Sequence, residues 1–303
     1  MSREIGRLLT AMVTPFKADG AVDYDAAEKL ALMLVNDGSD GVVVSGTTGE
    51  SPTLTDAEKI ELVRVVKNAI PGKNVVAGTG SNDTHHSVEL SKLAMKAGAD
   101  ALLAVVPYYN KPPQEGMFQH FKAISQVGPT IMYNIQGRTA VNMTAATTIR
   151  CAELPGIIGV KEASGDLDQI GLVCAGTPDD FKIWSGDDSW TLPILAVGGY
   201  GVICVVSHIA GRSMKNLIEA FVSHDNDTAR EIHQGLLPAI KALMTTAANP
   251  VPIKSVLTAM GFNAGPFRLP LAPLTDEQLK SVMKTIDDAG GFITFAKPGV
   301  KVA

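Results

Sequence analysis

The sequence predicts a (β/α)8 (TIM) barrel followed by a small C-terminal helical extension, and three observations predict it. Short, continuously apolar runs recur along the chain: "LLTAMV", "GVVVSG", "NVVAG", "ALLAVVP", "TIMYN", "IIGVKEA", "FKIWSG" and "GVICVVSH". Each is too short and too evenly apolar for a half-exposed antiparallel strand and fits a strand buried on both faces. Amphipathic helical segments lie between them, and about eight such units fit before residue 224 at a spacing near thirty residues. That count and period are those of a closed parallel barrel. An open doubly wound sheet usually has fewer strands and a glycine fingerprint after the first, which "LLTAMVTPF" lacks.

The intervening elements follow from local signals. In "TDAEKIELVRVVKNAI", Thr55 and Glu58 have capping-box spacing, Ile60, Val63, Val66 and Lys67 sort into faces, and Pro71-Gly72 stops the helix. The joints "DGSDGVVV", "AGADALLA" and "VGGYGVIC" echo one another, so Gly38, Gly98 and Gly198 are expected in left-handed C-cap positions before buried strands. After residue 224 no comparable strand appears. "DTAREIHQGLLPAIKALM", "PIKSVLTAMG" and "TDEQLKSVMKTIDDAG" read as capped helices. The expected division is a barrel over 1–224 and a helical domain over 225–303.

Composition excludes several function classes. At 303 residues and 46% apolar content the chain can bury a large core, and disorder is not expected. The net charge is −5 with both signs interspersed, so neither a nucleic-acid stripe nor a polybasic membrane patch is present, and a small soluble partner is expected. No apolar stretch approaches the ~20 residues needed to span a bilayer, and the N-terminal run carries no cleavage-site pattern. Cys151, Cys174 and Cys204 stand far apart in apolar contexts and are expected as buried free thiols. A cytoplasmic protein is expected.

Barrel enzymes place their chemistry at the C-terminal ends of the strands. The residues there are Thr47 and Thr48 in "SGTTGES", Tyr108 and Tyr109 in "PYYNKPP", Tyr133 and Arg138 around "YNIQGRT", Lys161 ending "IIGV", Gly186 in "SGDD", and Ile203 within "GVICVV". No metal-ligand spacing occurs. The adjacent His85 and His86 diverge around a helix and read as solvated surface. "SGTTGES" is not a GxxxxGK[ST] phosphate loop, and no GxSxG elbow is present. Hydroxyls, one guanidinium and one lysine remain, a set suited to covalent amine catalysis on a carbonyl compound. A neutral amine adds to a ketone and loses water, and the resulting protonated imine is an electron sink. Lys161 therefore has two readings: an ammonium that snorkels to water, or an amine made nucleophilic by desolvation. Read singly, Tyr133 is a strand-end aromatic with a satisfied hydroxyl, Thr47 and Thr48 are turn residues, and Arg138 is a surface cation.

Taken together, "GTTGES", "PYYNKPPQEG", "YNIQGRT" and "GVKEASGD" resemble the dihydrodipicolinate synthase family, also called 4-hydroxy-tetrahydrodipicolinate synthases. The similarity runs from "AMVTPF" to "PFRLPLAPLT". The resemblance implies a lyase that needs no cofactor and joins pyruvate to L-aspartate 4-semialdehyde in lysine and diaminopimelate biosynthesis. It also implies a homotetramer built as a dimer of dimers. Under it, Lys161 forms the Schiff base with pyruvate, Tyr133 moves protons beside it, and Thr47 and Tyr109 complete a hydroxyl relay, Tyr109 being lent by a neighbouring subunit. Thr48 holds the pyruvate carboxylate, Gly186 and Ile203 contribute main-chain carbonyls, and Arg138 grips the semialdehyde carboxylate in a planar fork. Tyr108 reads as packing or as lining a subunit interface.

The chain departs from the family pattern in two respects. Gln136 stands where most members have proline, which predicts a looser loop around Arg138. Lysine-inhibited members carry histidines after "GES" and a glutamate on the next helix, whereas here Asp56, Lys59 and His86 stand near those places, which predicts weak or absent feedback by L-lysine. The rival readings are N-acetylneuraminate lyase or a 2-keto-3-deoxy sugar acid aldolase of the same family, and a non-catalytic binding barrel. Arg138 argues against the first two, and the presence of Lys161 and Tyr133 against the third.

Overall fold

The structure, a computed structural model, describes residues 4–295. The eight apolar runs form eight parallel strands: β1 (Leu8–Ala11), β2 (Gly41–Val44), β3 (Asn74–Gly78), β4 (Ala101–Val105), β5 (Thr130–Asn134), β6 (Ile157–Glu162), β7 (Lys182–Ser185) and β8 (Gly201–Cys204). They pair in sequence order, and β8 closes on β1 with Leu9 opposite Ile203. The continuous apolarity has a direct cause. Alternate residues of each strand fill the interior or face the helices, so Val43 joins a barrel-interior cluster with Leu9, Ile131, Trp184 and Ile203, while Val42 and Val44 join the outer one. Gly159 makes room inside: a Cβ there would lie 2.1 Å from the Lys182 carbonyl oxygen and 2.7 Å from the Trp184 ring.

Helices α1 (Tyr24–Asn36), α2 (Asp56–Ala69), α3 (Thr84–Lys96), α4 (Gln114–Ser125), α5 (a single turn, Gln136–Thr139), α6 (Ala145–Ala152), α7 (Leu167–Gly176), α8 (Thr191–Ala196) and α9 (Ser207–Val222) alternate with the strands. The capping box at Thr55 and Glu58 forms on α2. Gly38, Gly98 and Gly198 take φ of +114°, +104° and +108° at the helix-to-strand joints, as the repeated sequence pattern predicts.

The C-terminal segment forms α10 (Asn226–Thr245), α11 (Val251–Ala259) and α12 (Asp276–Asp288); residues 296–303 lie outside the described part. These helices share the outer apolar cluster with the barrel through Leu236, Ile240, Leu243 and Leu257. Polar contacts anchor the segment to the loop end of the barrel. Lys254 donates to Glu50 Oε1 at 2.7 Å, with both side chains wholly buried. Arg268 pairs with Glu58 and donates to the carbonyls of Gly20 and Thr53. The cysteines depart partly from expectation: Cys151 and Cys204 are buried, but Cys174, next to Gly198, is only half-buried.

Candidate active site

Lys161 is the fifth residue of β6, and barrel register places Tyr133 of β5 on one side of it and Trp184 of β7 on the other. Neighbours in a parallel sheet point the same way, so all three side chains face the barrel interior. Lys161 is 6% exposed, and its Nζ lies 4.3 Å from the centre of the Tyr133 ring. It forms no ion pair among the described residues. Burial brings its pKa down to about 8, partly offset by the negative charge of Asp188. The snorkelling alternative therefore does not describe this residue, since its end stays inside the barrel mouth.

Tyr133 is 5% exposed, and burial raises its phenol to about 12, eased by the Arg138 charge and a hydrogen bond with the Thr47 side chain. It is thus a protonated phenol at neutral pH. Gly186 packs against the lysine stem: a Cβ there would lie 2.7 Å from Ala163 Cβ and 3.3 Å from Lys161 Cε. Its N–H donates to the Glu162 carbonyl at 2.7 Å, which fixes the β7 loop at that distance. Ile203 is fully buried and occupies the same interior cluster as Tyr133.

Two clefts of about 560 and 530 Å³ open beside these residues, and Arg138 lines both. The first carries Thr47, Tyr133 and Tyr108, and the second carries Gln136, Gly186 and Asp187. Arg138 sits on the α5 turn, with Nη2 donating to the Asn249 carbonyl at 3.1 Å. The looseness expected from Gln136 is countered by the residue itself, whose Nε2 donates to the Ser164 carbonyl at 2.9 Å and ties the Arg138 turn to the loop after β6. Thr48 is buried, and its Oγ1 accepts a hydrogen bond from Asn249 Nδ2 at 2.9 Å. Tyr109 is not brought to the set within one chain. It is 89% exposed at φ +71°, a strained conformation for a bulky residue, and Tyr108 lines the cleft instead.

The first cleft is also lined by Asp56, Lys59 and His86. His85 and His86 both lie at the surface as expected, and His86 is in addition paired, its Nε2 lying 2.8 Å from Asp56 Oδ2. Lys59 Nζ is 4.0 Å from the same carboxylate group. The pairing joins α2 to α3, a contact that adjacent histidines alone do not signal.

Three further residues belong to the neighbourhood. Asp188, the second acid of "SGDD", is buried and accepts from the backbone N–H groups of Val205 (3.0 Å) and Val206 (2.6 Å); burial raises it to about 6. An acid pair after an apolar strand was the available signal for it. Glu162, fully buried next to Lys161, accepts from Ser164 N and Asn134 Nδ2. Asn249 carries no local signal at all. Among the described residues no group of three or more His, Cys, Asp or Glu side chains is placed to hold a metal ion. No described helix is long and apolar enough to cross a membrane.

The profile of the Dihydrodipicolinate synthetase family matches residues 4–289. A 4-hydroxy-tetrahydrodipicolinate synthase of Moorella thermoacetica is 54% identical over 94% of this chain and 98% of its own length. The synthase of Thermosynechococcus vestitus is 50% identical over 95% of this chain and 98% of its own. Among solved structures, the enzyme of Cyanidioschyzon merolae with lysine bound superposes with a TM-score of 0.92 at 46% identity, covering 94% of this chain and 98% of that one. With the barrel, the lysine and the ordered strand-end motifs all in place, the chain belongs to the dihydrodipicolinate synthetase family.

Proposed function

We propose that the protein is a Schiff-base-forming lyase that condenses pyruvate with L-aspartate 4-semialdehyde to give 4-hydroxy-tetrahydrodipicolinate. The observation that carries this reading is the buried Lys161 amine, brought to a pKa of about 8 and aligned by strand register with Tyr133. The names of the relatives and the match along the whole barrel support it.

The neutral Nζ of Lys161 attacks C2 of pyruvate, and the former carbonyl oxygen takes up protons and leaves as water. Tyr133, a phenol held protonated, supplies one of them. The protonated imine draws electrons from C3, which loses a proton to become an enamine carbon. That carbon attacks the semialdehyde's aldehyde carbon. The new alkoxide is protonated, the substrate amine closes the ring on the imine carbon, and Lys161 leaves as a free amine. Thr47 passes protons onward from Tyr133, Thr48 holds the pyruvate carboxylate, and Gly186 and Ile203 present carbonyls at the site. Arg138, on the wall between the two clefts, grips the semialdehyde carboxylate. An aldolase of polyhydroxylated sugar acids has no such carboxylate to bind at that turn.

Tyr109 enters from a second copy in this reading. A phenol 89% exposed on a strained backbone is poorly explained in an isolated chain and well explained as an arm that completes a neighbour's relay. We infer a homotetramer of two such dimers. The buried free thiols Cys151 and Cys204 suit a reducing cytoplasm.

Incubation with pyruvate and borohydride, followed by peptide mapping, tests the proposal. A reduced adduct on the Lys161 peptide together with turnover of the semialdehyde is the expected result. An adduct without that turnover points to a sugar acid aldolase, and no adduct points to a binding barrel.

A further inference from the structure

The turn between α10 and α11 reaches the candidate site through one residue, and it does so twice with different chemical groups. Asn249 is 9% exposed. Its side-chain Nδ2 donates to Thr48 Oγ1 at 2.9 Å, and its main-chain carbonyl accepts from Arg138 Nη2 at 3.1 Å. Its Oδ1 is buried without a hydrogen-bond partner among the described residues. Leaving such an oxygen unpaired is unfavourable, and a small apolar residue would avoid it. The amide must therefore be accounted for by what its nitrogen does.

A threonine hydroxyl has one proton and two lone pairs. With Asn249 donating into one lone pair, the Thr48 proton is turned away from Asn249 and is free to serve as a donor elsewhere. A few residues on, Lys254 of α11 holds Glu50, two positions after Thr48, through a bond of 2.7 Å. The Thr48 loop is thus braced from the C-terminal segment at two points.

We propose that Asn249 is a positioning residue for both carboxylate-binding groups: its side-chain amide directs the Thr48 proton toward the keto-acid carboxylate, and its backbone carbonyl aims Arg138 at the second substrate. This rests on the reading of function above. The two tasks belong to different parts of the residue, so substitution separates them. Asn249→Ala removes the amide and keeps the carbonyl. Asn249→Asp keeps the shape but turns the donor into an acceptor, which draws the Thr48 proton back and sets a negative charge beside two anionic substrates.

The experiment measures, for wild type, Asn249→Ala and Asn249→Asp, the pyruvate concentration giving half-maximal borohydride trapping at Lys161, and the semialdehyde KM at saturating pyruvate. Half-saturation by pyruvate is expected to rise about fivefold in the alanine variant and about 10- to 100-fold in the aspartate variant, the range for a hydrogen bond to a charged group. The semialdehyde KM of the alanine variant should stay within about twofold, because the carbonyl that aims Arg138 is intact. In a Thr48→Val background, Asn249→Ala should add no further loss for pyruvate. That cycle needs only the fraction of protein that folds, because half-saturation does not depend on how much enzyme is active. Unchanged pyruvate half-saturation in both variants overturns the proposal, as does an equal rise for both substrates in Asn249→Ala or a full additional loss in the Thr48→Val background. Failure of wild type to form any adduct at Lys161 rejects the reading of function itself, whereas a wild-type adduct with unaffected variants rejects only the role of Asn249.

Discussion

The strongest quantitative consequence of the site concerns pH. Only the neutral amine of Lys161 attacks a ketone, and burial brings its pKa from 10.5 to about 8. At pH 7 about one amine in ten is then neutral, against about one in three thousand for an ordinary lysine. The shift raises the supply of nucleophile about 300-fold, equivalent to about 3 kcal/mol of barrel-mouth desolvation put to use. The rate of imine formation at low pyruvate, followed by cyanoborohydride trapping and intact mass, should climb about tenfold per pH unit up to roughly 7.5 and level off above 9. The Asp188 carboxylate pulls in the opposite direction by favouring the ammonium form. Asp188→Asn should therefore move the midpoint to lower pH. A tenfold-per-unit rise continuing to pH 10, or an upward shift in Asp188→Asn, would refute desolvation as the source of the nucleophile.

Three other outcomes follow from the same structure. Lys254→Met takes the ammonium away from the wholly buried Glu50 side chain and leaves it only the Arg268 N–H, so the urea midpoint should fall by an amount worth about 3–5 kcal/mol; a loss below about 1 kcal/mol would show that the pair is not an anchor. His208 accepts from Val13 N through Nε2 and donates to the Val205 carbonyl through Nδ1, so protonation removes its acceptor; burial lowers its pKa to about 4. With the folded value below the unfolded one, this contribution is present above pH 6.5 and is lost as pH falls toward 4, by up to about 3 kcal/mol, and His208→Gln should flatten that part of the stability curve measured by urea unfolding. L-lysine should inhibit weakly or not at all, because the cleft lining formed by Asp56, Lys59 and His86 presents a lysine cation and an acid already engaged by His86; a steady-state inhibition curve saturating below about 1 mM would contradict this.

What the sequence made legible has a physical pattern. Strands buried on both faces are continuously apolar, so all eight could be read without their partners, and the capping box on α2 and the three left-handed glycines are signals contained within a few residues. Lys161 was conspicuous for the same reason, as a charge ending an apolar run. The unread features are pairings between distant positions. Asn249 meets Thr48 across 201 residues and Lys254 meets Glu50 across 204, so neither partner carries a local mark of the other. His86 and Asp56 are 30 apart and on different helices, so their pairing at the surface leaves no local mark either. The Gln136 tether to Ser164, spanning 28 residues, likewise replaces by side-chain contact the stiffness that a proline would supply through its ring.

Among the described residues two lysines are buried to a similar degree, and comparing them shows what makes one of them chemical. Lys254, with no exposure, donates to Glu50 Oε1 and to the Pro266 carbonyl, each at 2.7 Å, and lies 4.2 Å over the Phe16 ring. Its charge is compensated by a directly bonded carboxylate, and removing either partner is penalised, which is the behaviour of a structural bolt. Lys161, at 6% exposure, lies over the face of Tyr133, and Asp188 and Asp187 act on it through their charge alone, opposed by the Arg138 cation. Burial lowers the affinity of both amines for a proton, but Lys161 has no bonded anion among the described residues to restore it. A buried lysine by itself therefore says little about reactivity. The informative feature is the missing counter-ion: an amine buried beside a bonded carboxylate is a fixed cation, whereas one buried without it is left to act as a nucleophile.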